Sequence, residues 1–559
     1  MIQQSRFIHH PSSIIHHPPG GLNMRCIVAI VLIALGMSAP VRGDQPWVAP
    51  GPDGKLIHRT DEQGNRIPDF SYCGFAGGGV ALPAVAAAVT VDPVEGDMTA
   101  TIQAALDQVA ALPLNEAGFR GAVLLKRGTF RVQGALTIKA SGVVLRGEGR
   151  GQDGSILLAA GTDKRTVLNI LGGDKRQWNV KQGAAVTDDH VPVGALSFHV
   201  DHPDRLAVGQ EVLIIRPSTP AWMSDIGMDR IPPHRDGRAI SQWKPGDFDL
   251  RFDRTIAAIE GHRVTLDAPL GCALESRYGG AVVVPYRFEG RIENIGVENL
   301  RSVSTYAPGG ETTDENHAWT FIEIDKARNV FVRDVTTLHY GLGLVNVRRD
   351  VKGVTVQDCA CLDPVSQIAG SRRYSFNVAG QLVLVQRCLS RQARHDYAVD
   401  SRVPGPNAFV ACVAQQSHSD IGPHHRWSTA TLFDTIDAPD CQVNLQNRLC
   451  LGSGHGWSGA NSVLWNCIVK QYAVQNPPGA YNWAIGVIGP QVPGDFAGQG
   501  YGKLIAPDYL NTHPSPDPAW RLDDMGTVQS PNQHVQPDSL YRAQLRDRLG
   551  PDALTNTGW

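Results

Sequence analysis

The sequence predicts an all-β solenoid of stacked parallel coils, and three observations carry that prediction. A six-residue β-rich segment recurs at Asn294–Asn299, Asn329–Asp334, Gly353–Asp358, Leu382–Arg387, Asn407–Cys412 and Asn461–Asn466. Neighbouring copies start roughly 24 to 35 residues apart. Each copy alternates with period two, and none is followed by a helix long enough for a βαβ crossover. The composition, 42% apolar and 19% charged with 59 Gly and 37 Pro, suits a turn-rich globular chain and excludes coiled coils and long polar fibres. One such strand cannot hide its inner face alone. Coils piled about 4.8 Å apart bury a continuous apolar interior and satisfy one another's backbone.

Taken in order, residues 1–43 stand apart from the fold. Met24-Arg25, the apolar run Ile27–Leu35 and small residues up to Gly43 have the three-part form of a secretory signal peptide. The upstream leader, with His9, His10, His16 and His17, reads as translation from a misplaced start; a metal-binding His tail is the alternative. The apolar run is too short to span a bilayer. The mature chain is therefore expected to be secreted or periplasmic, with no integral membrane span. Removing the leader takes Arg6, Arg25 and Arg42 and no acid from a chain of formal net charge −3. No global basic field remains to hold nucleic acid.

Residues 44–95 read as an extended amino-terminal segment. Residues 96–199 hold a cap and the first coils: Asp97–Leu112 has helical spacing in Ile102, Leu106 and Val109 behind Thr99 as the cap residue, and closes the solenoid's open end. Gly121–Leu125, Ala135–Ile138 and Gly142–Gly147 follow as the first coils. Residues 200–287 break the rhythm, since Val208–Ile215, Arg254–Ile259 and His262–Leu266 resemble antiparallel strands on short turns. They are read as a small inserted β-barrel whose Pro-rich tract, Ile231–Gly246, is a surface loop able to overhang a cleft. Residues 288–490 are the main solenoid. Residues 491–559 form a Gly- and Pro-rich extension ending in a surface helix over Ser539–Leu549.

Nine cysteines remain once Cys26 leaves with the leader, an odd number with no Cys-x-x-Cys pair. Cys359, Cys388, Cys412 and Cys467 each fall in an apolar run of similar form, and are read as small buried side chains stacked on their neighbours. Neither a disulfide framework nor a thiolate zinc site is expected.

These features resemble the pectate-lyase-like superfamily of right-handed parallel β-helices. The residues that carry the resemblance are Gly96-Asp97-Met98-Thr99 with Ile102–Leu106, then Arg127-Gly128-Thr129-Phe130, and Ser141–Gly149. It covers most of residues 65–490. It implies the right-handed helix and a carbohydrate, usually an acidic polysaccharide, lying along the parallel sheets. Because that superfamily includes lyases, hydrolases, epimerases and adhesins, the activity has to be read from the site.

The richest constellation is Arg391–Tyr397, followed by His418-Ser419-Asp420, Gly422–Trp427 and Gly454-His455-Gly456-Trp457. His395, His425 and His455 stand 30 residues apart, close to one coil, so a ladder on one face is expected. Such a cluster suits β-elimination at a uronic acid, in which a base takes the C5 proton, a cation neutralises the carboxylate and an acid assists the O4 leaving group. The base is assigned to His425 or His395, neutralisation to Arg426 or Arg394, and proton donation to Tyr397 or the other His. His424 is an orienting neighbour, and His455, Trp427 and Trp457 are substrate-binding candidates, the tryptophans as sugar-stacking platforms. For each His or Trp in such a turn the alternative is a packed, hydrogen-bonded residue without a chemical role. Asp396, Asp400 and Asp420 offer oxygen ligands for Ca²⁺, which several lyases of that fold use; lacking a recognisable ligand loop, they are read as solvated turn carboxylates and no metal ligand is assigned.

Two other readings compete. Gly454–Gly459 looks like the Gly-His-Gly element of polygalacturonase-like hydrolases, but their Asn-Thr-Asp triplet, Asp-Asp pair and Arg-x-Lys element are missing at the corresponding places. Inverting hydrolysis needs two carboxyl groups, for which Asp434 and Asp437 are the candidates. A non-catalytic carbohydrate-binding β-helix would hold sugar without turnover.

Overall fold

The period-two segments stack as the repeat predicts. The computed structural model describes residues 45–559, so the leader and signal-peptide reading falls outside the described residues. The fold is a right-handed parallel β-helix whose coils join in one 26-stranded parallel sheet system with three faces. Face one runs from Gly121–Leu125 and Val143–Gly147 through the long strands Ile292–Ser304 and Ala327–Leu338 to Val463–Trp465 and Trp483–Ile485. Face two includes Ala360–Leu362, Leu389–Arg391 and Val413–Gln415. Face three stacks Leu136–Ile138, Arg165–Leu171, Ala318–Asp325, Gly343–Val347, Tyr374–Val378, His395–Val399 and Asp420–Pro423.

Register is held from coil to coil. Val297, Val332, Val356, Val385, Phe409 and Phe433 lie over one another and fill the lumen. The corner after face one bends through a left-handed residue in successive coils, at Asn299, Asp334, Asp358, Arg387, Ala411, Thr435 and Asn466. That recurrence explains why Asn and Asp mark several repeat ends, since both tolerate this conformation better than most residues. All nine cysteines of the described residues are free and buried. In successive coils the Sγ of Cys359, Cys388 and Cys412 donates to Val332, Val356 and Val385 carbonyls at 3.7, 3.7 and 3.5 Å.

Helix α1 (Thr99–Ala110) closes the first coil with Ile102, Leu106 and Val109 turned into the core. Thr99 is not its cap. It is the first helical residue, and its backbone N–H and hydroxyl both donate to Asp97 Oδ1, at 3.1 and 2.6 Å. Helix α2 (Leu540–Leu549) is present where expected but is no loose surface element. Leu540, Tyr541 and Leu545 are fully buried against Leu432, Val463 and Trp465 of face one, together with Trp47 and Phe70.

The insert is antiparallel. Its strands run from Lys175–Trp178 to Val282–Glu289, so it begins ahead of residue 200. Its core of Phe198, Val212, Ile214, Phe252, Val264 and Val283 continues into Trp427, Leu449 and Trp457 of the main coils. The insert is thereby packed onto the loops at the end of face three. Among the described residues no helix is long and apolar enough to cross a membrane.

Candidate functional site

Face three carries the site. Tyr374 and His395 are in-register neighbours on adjacent strands, and the next strand delivers Asp420 and then His424 and His425. Arg426 and Trp427 both take left-handed backbone conformations, φ 57° and 61°, which swing the chain from the face toward the insert. The loop after Leu445 folds back over this turn: the Arg426 backbone N–H donates to the His455 carbonyl at 3.1 Å, and Arg426 Nη2 to Ser453 Oγ at 2.6 Å. Gly456 lets that loop approach the insert, because a Cβ there would lie 2.4 Å from Met228 Sδ.

The result is a cleft of about 820 Å³. Its lining brings together Tyr374, Arg394, His424, His425, Arg426 and His455, with Arg448, Arg348 and, from the Pro-rich tract, Arg238. Asp400 is the single carboxylate in that lining. Trp319 forms part of the wall, and Gly341 leaves room for its ring, since a Cβ there would come within 2.3 Å of it.

The four imidazoles converge, though not as a register ladder. Ring centroids are 4.4 Å apart for His395 and His424, 5.1 Å for His424 and His455, and 5.0 Å for His425 and His455. His395 belongs to the strand, whereas His425 and His455 arrive on a turn and a folded-back loop. His395 is 1% exposed and lies behind the cleft wall. Its Nδ1 is 2.8 Å from the Asp420 main-chain oxygen and 3.1 Å from Oδ1. Asp420 Oδ2 accepts from Arg448 Nη1 at 2.6 Å and Asn444 Nδ2 at 3.1 Å, and Ser419 Oγ lies 3.1 Å from Oδ1. Toward the cleft, His424 Nε2 is 3.2 Å and Arg394 Nη1 3.4 Å from the Tyr374 hydroxyl, and His425 Nε2 is 3.4 Å from Asp400 Oδ1.

Burial governs the electrostatics. It pushes His424 well below the ordinary imidazole range, assisted by His395 and Arg448. Burial likewise lowers His425 to about 4 and His455 to about 2, with Arg448 and Arg426 adding to both effects. All three are neutral near pH 7. Burial would raise the Asp420 carboxyl, but Arg448 and His395 outweigh it and hold the group well below its usual value. Burial raises the Tyr374 phenol, so it stays protonated.

Several sequence expectations are corrected. Tyr397 is fully buried in the lumen, its hydroxyl donating to the Cys388 and Val413 carbonyls at 2.8 and 2.7 Å. It cannot reach a substrate. Trp427 and Trp457 are 3% and 0% exposed within the insert's core, so neither offers a stacking face; Trp319 lines the cleft, with Lys164 Nζ 4.2 Å from its ring centroid. Asp396 and Asp420 are buried rather than solvated. Asp396 accepts from Ser390 Oγ at 2.5 Å, Asp420 is taken by Arg448, and Asp400 faces His425. That arrangement does not fit Ca²⁺, which requires a convergent set of oxygen ligands. For hydrolysis, Asp434 is buried under helix α2, accepting from Ser539 Oγ at 2.7 Å and the Tyr541 N–H at 2.8 Å, and Asp437 is exposed on face two. Sequence reasoning missed Tyr374, Arg448 and Trp319. Tyr374 was findable as the residue one coil above His395; nothing local marks the other two.

No protein-family profile and no curated protein sequence matches the chain. Solved structures that it resembles include the Gp54 tailspike of Acinetobacter baumannii bacteriophage AP22 in complex with A. baumannii capsular saccharide, at 11% identity and a TM-score of 0.36 over 71% of this chain and 61% of that one. ORF18 of Geobacillus virus E2 aligns at 12% identity and a TM-score of 0.39, over 72% of this chain and 57% of that one. The A-module of the Azotobacter vinelandii mannuronan C-5 epimerase AlgE6 aligns at 13% identity and a TM-score of 0.29, over 76% and 74%. The chain spans less than two thirds of the length of the first two.

Proposed function

We propose that the protein is an exported polysaccharide lyase that cleaves a uronate-bearing polysaccharide by β-elimination; the resemblance to the pectate-lyase-like superfamily implies an acidic polysaccharide, and the reaction is read from the groups in the cleft. One observation carries this reading: the cleft lining holds five arginines and one carboxylate, Asp400, and while Arg238, Arg348 and Arg448 are paired with Asp236, Glu323 and Asp420, Arg394 and Arg426 face the cleft without an ion pair among the described residues. Such a wall favours a polyanion. It also withholds the second carboxyl group on which hydrolysis between two acids depends.

The chemistry follows from the groups at hand. Arg426 or Arg394 pairs with the uronate carboxylate and makes the C5 proton more acidic. Neutral His425 takes that proton at Nε2, since its Nδ1 is buried, and the Asp400 carboxylate, 3.4 Å from that nitrogen, favours the imidazolium that results. The C5 electron pair forms the C4=C5 double bond as the C4–O4 bond breaks. Tyr374 gives its proton to the departing O4 and is reprotonated through His424. His395 and His455 act behind and beside these groups as positioning residues.

The test is incubation with a panel of uronate polymers while following ultraviolet absorbance and reducing ends together. Wild type is expected to raise both. Tyr374→Phe, His425→Ala and Arg426→Ala should each lose about 100-fold or more of the turnover, with the thermal transition nearly unchanged. Reducing ends without absorbance would point to hydrolysis, and retention on the polymer with neither signal to binding alone; either outcome sinks the lyase reading.

A further inference from the structure

Between the insert and the β-helix lies a second hollow, a crevice of about 310 Å³, within the usual size range of a ligand pocket. Three arginines meet in it: Arg251 from the insert, and Arg349 and Arg402 from the turns that follow face three. Arg349 Nη2 donates to the Ser401 carbonyl at 3.0 Å, while Arg402 donates from Nε to the Ser401 hydroxyl at 3.2 Å and from Nη1 to the Asp247 carbonyl at 2.7 Å. Arg251 only rests over the Trp178 ring, 5.5 Å from its centroid. Among the described residues none of the three has a carboxylate in ion-pair range, and most of their N–H donors are open. The acids around them are mostly engaged elsewhere. Asp350 holds Arg176 at 2.6 Å, Asp253 holds Lys352 and Arg291 at 2.6 Å each, and Asp249 Oδ1 accepts from the Ser218 N–H and hydroxyl at 2.8 and 2.9 Å; Asp247 is left, and it is exposed. Burial holds the Arg349 guanidinium below its ordinary range, with Arg402 and Arg251 adding to the effect and Asp400 and Asp350 opposing it. Three like charges thus stand together without an ion-pair partner, and an oxyanion among them would supply both bidentate acceptors and charge relief.

We infer that this crevice is a second anion-binding site, which takes a carboxylate or sulfate group of the polysaccharide outside the cleft. The choice of ligand rests on the acidic-polysaccharide reading above; the anion site itself does not. Two observations favour a sugar-borne anion over a free one. The crevice and the cleft are neighbours across one wall: Arg348 and Asp400 line the cleft, Arg349 and Arg402 line the crevice, and the Arg402 backbone N–H donates to the Arg426 carbonyl at 2.9 Å. The crevice also shares Arg176, Trp178 and Tyr286 with an adjoining groove lined by Gln177, Asn179, Gln182 and Gln210. Amide side chains both donate and accept, as sugar hydroxyls do, and Trp178 is 37% exposed beside them. None of these groove residues takes part in the elimination chemistry. A polyanion held at both hollows binds more tightly than at either alone.

The full chain is titrated with sodium sulfate at constant ionic strength, with chloride as the control, and its retardation in gels containing a uronate polymer is measured in parallel. Wild type is expected to bind sulfate saturably and to be retarded. Arg349→Ala and Arg251→Ala should each weaken the affinity for sulfate by about 10-fold or more, the scale of one lost hydrogen bond to a charged group. Both should also reduce the retardation, with the thermal transition nearly unchanged because both residues are exposed. The unpaired arginines of the cleft offer sulfate a place as well, so Arg394→Ala serves as the comparison and should keep the part of the sulfate binding that Arg349→Ala removes. No sulfate binding beyond that of chloride, or sulfate binding that neither Arg349→Ala nor Arg251→Ala weakens, overturns the site. Loss of sulfate binding with retardation unchanged overturns its assignment to the polysaccharide. A protein that shows both effects yet releases no ultraviolet-absorbing product would remove the lyase reading and leave this site standing.

Discussion

At the scale of single residues, the site depends on imidazoles kept neutral by burial beside an arginine-bound carboxylate. Lowered pKa values at His424, His425 and His455 mean that between the unfolded value near 6.5 and the folded ones the unfolded chain binds more protons. Their contribution to stability is therefore complete above about pH 6.5 and is lost progressively as the pH falls toward 4, the folded value of His425. The melting midpoint should drop over that window, and His455→Gln should make the drop shallower. A midpoint flat from pH 6.5 to 4, or one that rises on acidification, would contradict the buried neutral histidines. The site's histidines were legible in the sequence because they are dense within a short stretch. Tyr397 was misread because alternation fails at the strand start: Asp396 and Tyr397 both turn inward, Asp396 to Ser390 and Tyr397 to two carbonyls. Arg448 and Trp319 were not legible, because a folded-back loop and an earlier coil place them there and no local pattern encodes either.

At the scale of elements, the coils could be read directly, since every strand repeats one problem, an apolar face that only the next coil can cover. The repeats at 294, 329, 353, 382 and 407 all fall on face one, in register. Helix α2 was visible by its spacing, but its burial was not, because its partners Leu432, Val463 and Trp465 lie on the outer side of strands whose inner side already explains the pattern. Leu545 is fully buried there, so Leu545→Ala should cost about 2–5 kcal/mol in denaturant unfolding if the protein unfolds in one step. A loss below about 0.5 kcal/mol, the usual size of a surface substitution, would mean that α2 is not docked. The same logic explains the insert's reach. Trp427 and Trp457 looked like sugar platforms, yet a tryptophan at a coil's edge is equally suited to anchor a second core, and here both do so.

At the scale of the whole molecule, a chain of formal net charge −3 concentrates arginine in one groove on face three. The β-helix supplies Tyr374, Arg394 and the His424–His425 turn, the returning loop adds Arg448 and His455, and the insert's tract adds Arg238. Overall charge could not reveal this, since the asymmetry exists only after folding. The central claim is that this groove breaks a glycosidic bond by removing a proton rather than by adding water, and mass analysis of the oligosaccharides released from a uronate polymer tests it most directly. The account predicts fragments whose new non-reducing end is unsaturated, lighter by one water than the hydrolysis product. Fragments at the fully hydrated mass would contradict it.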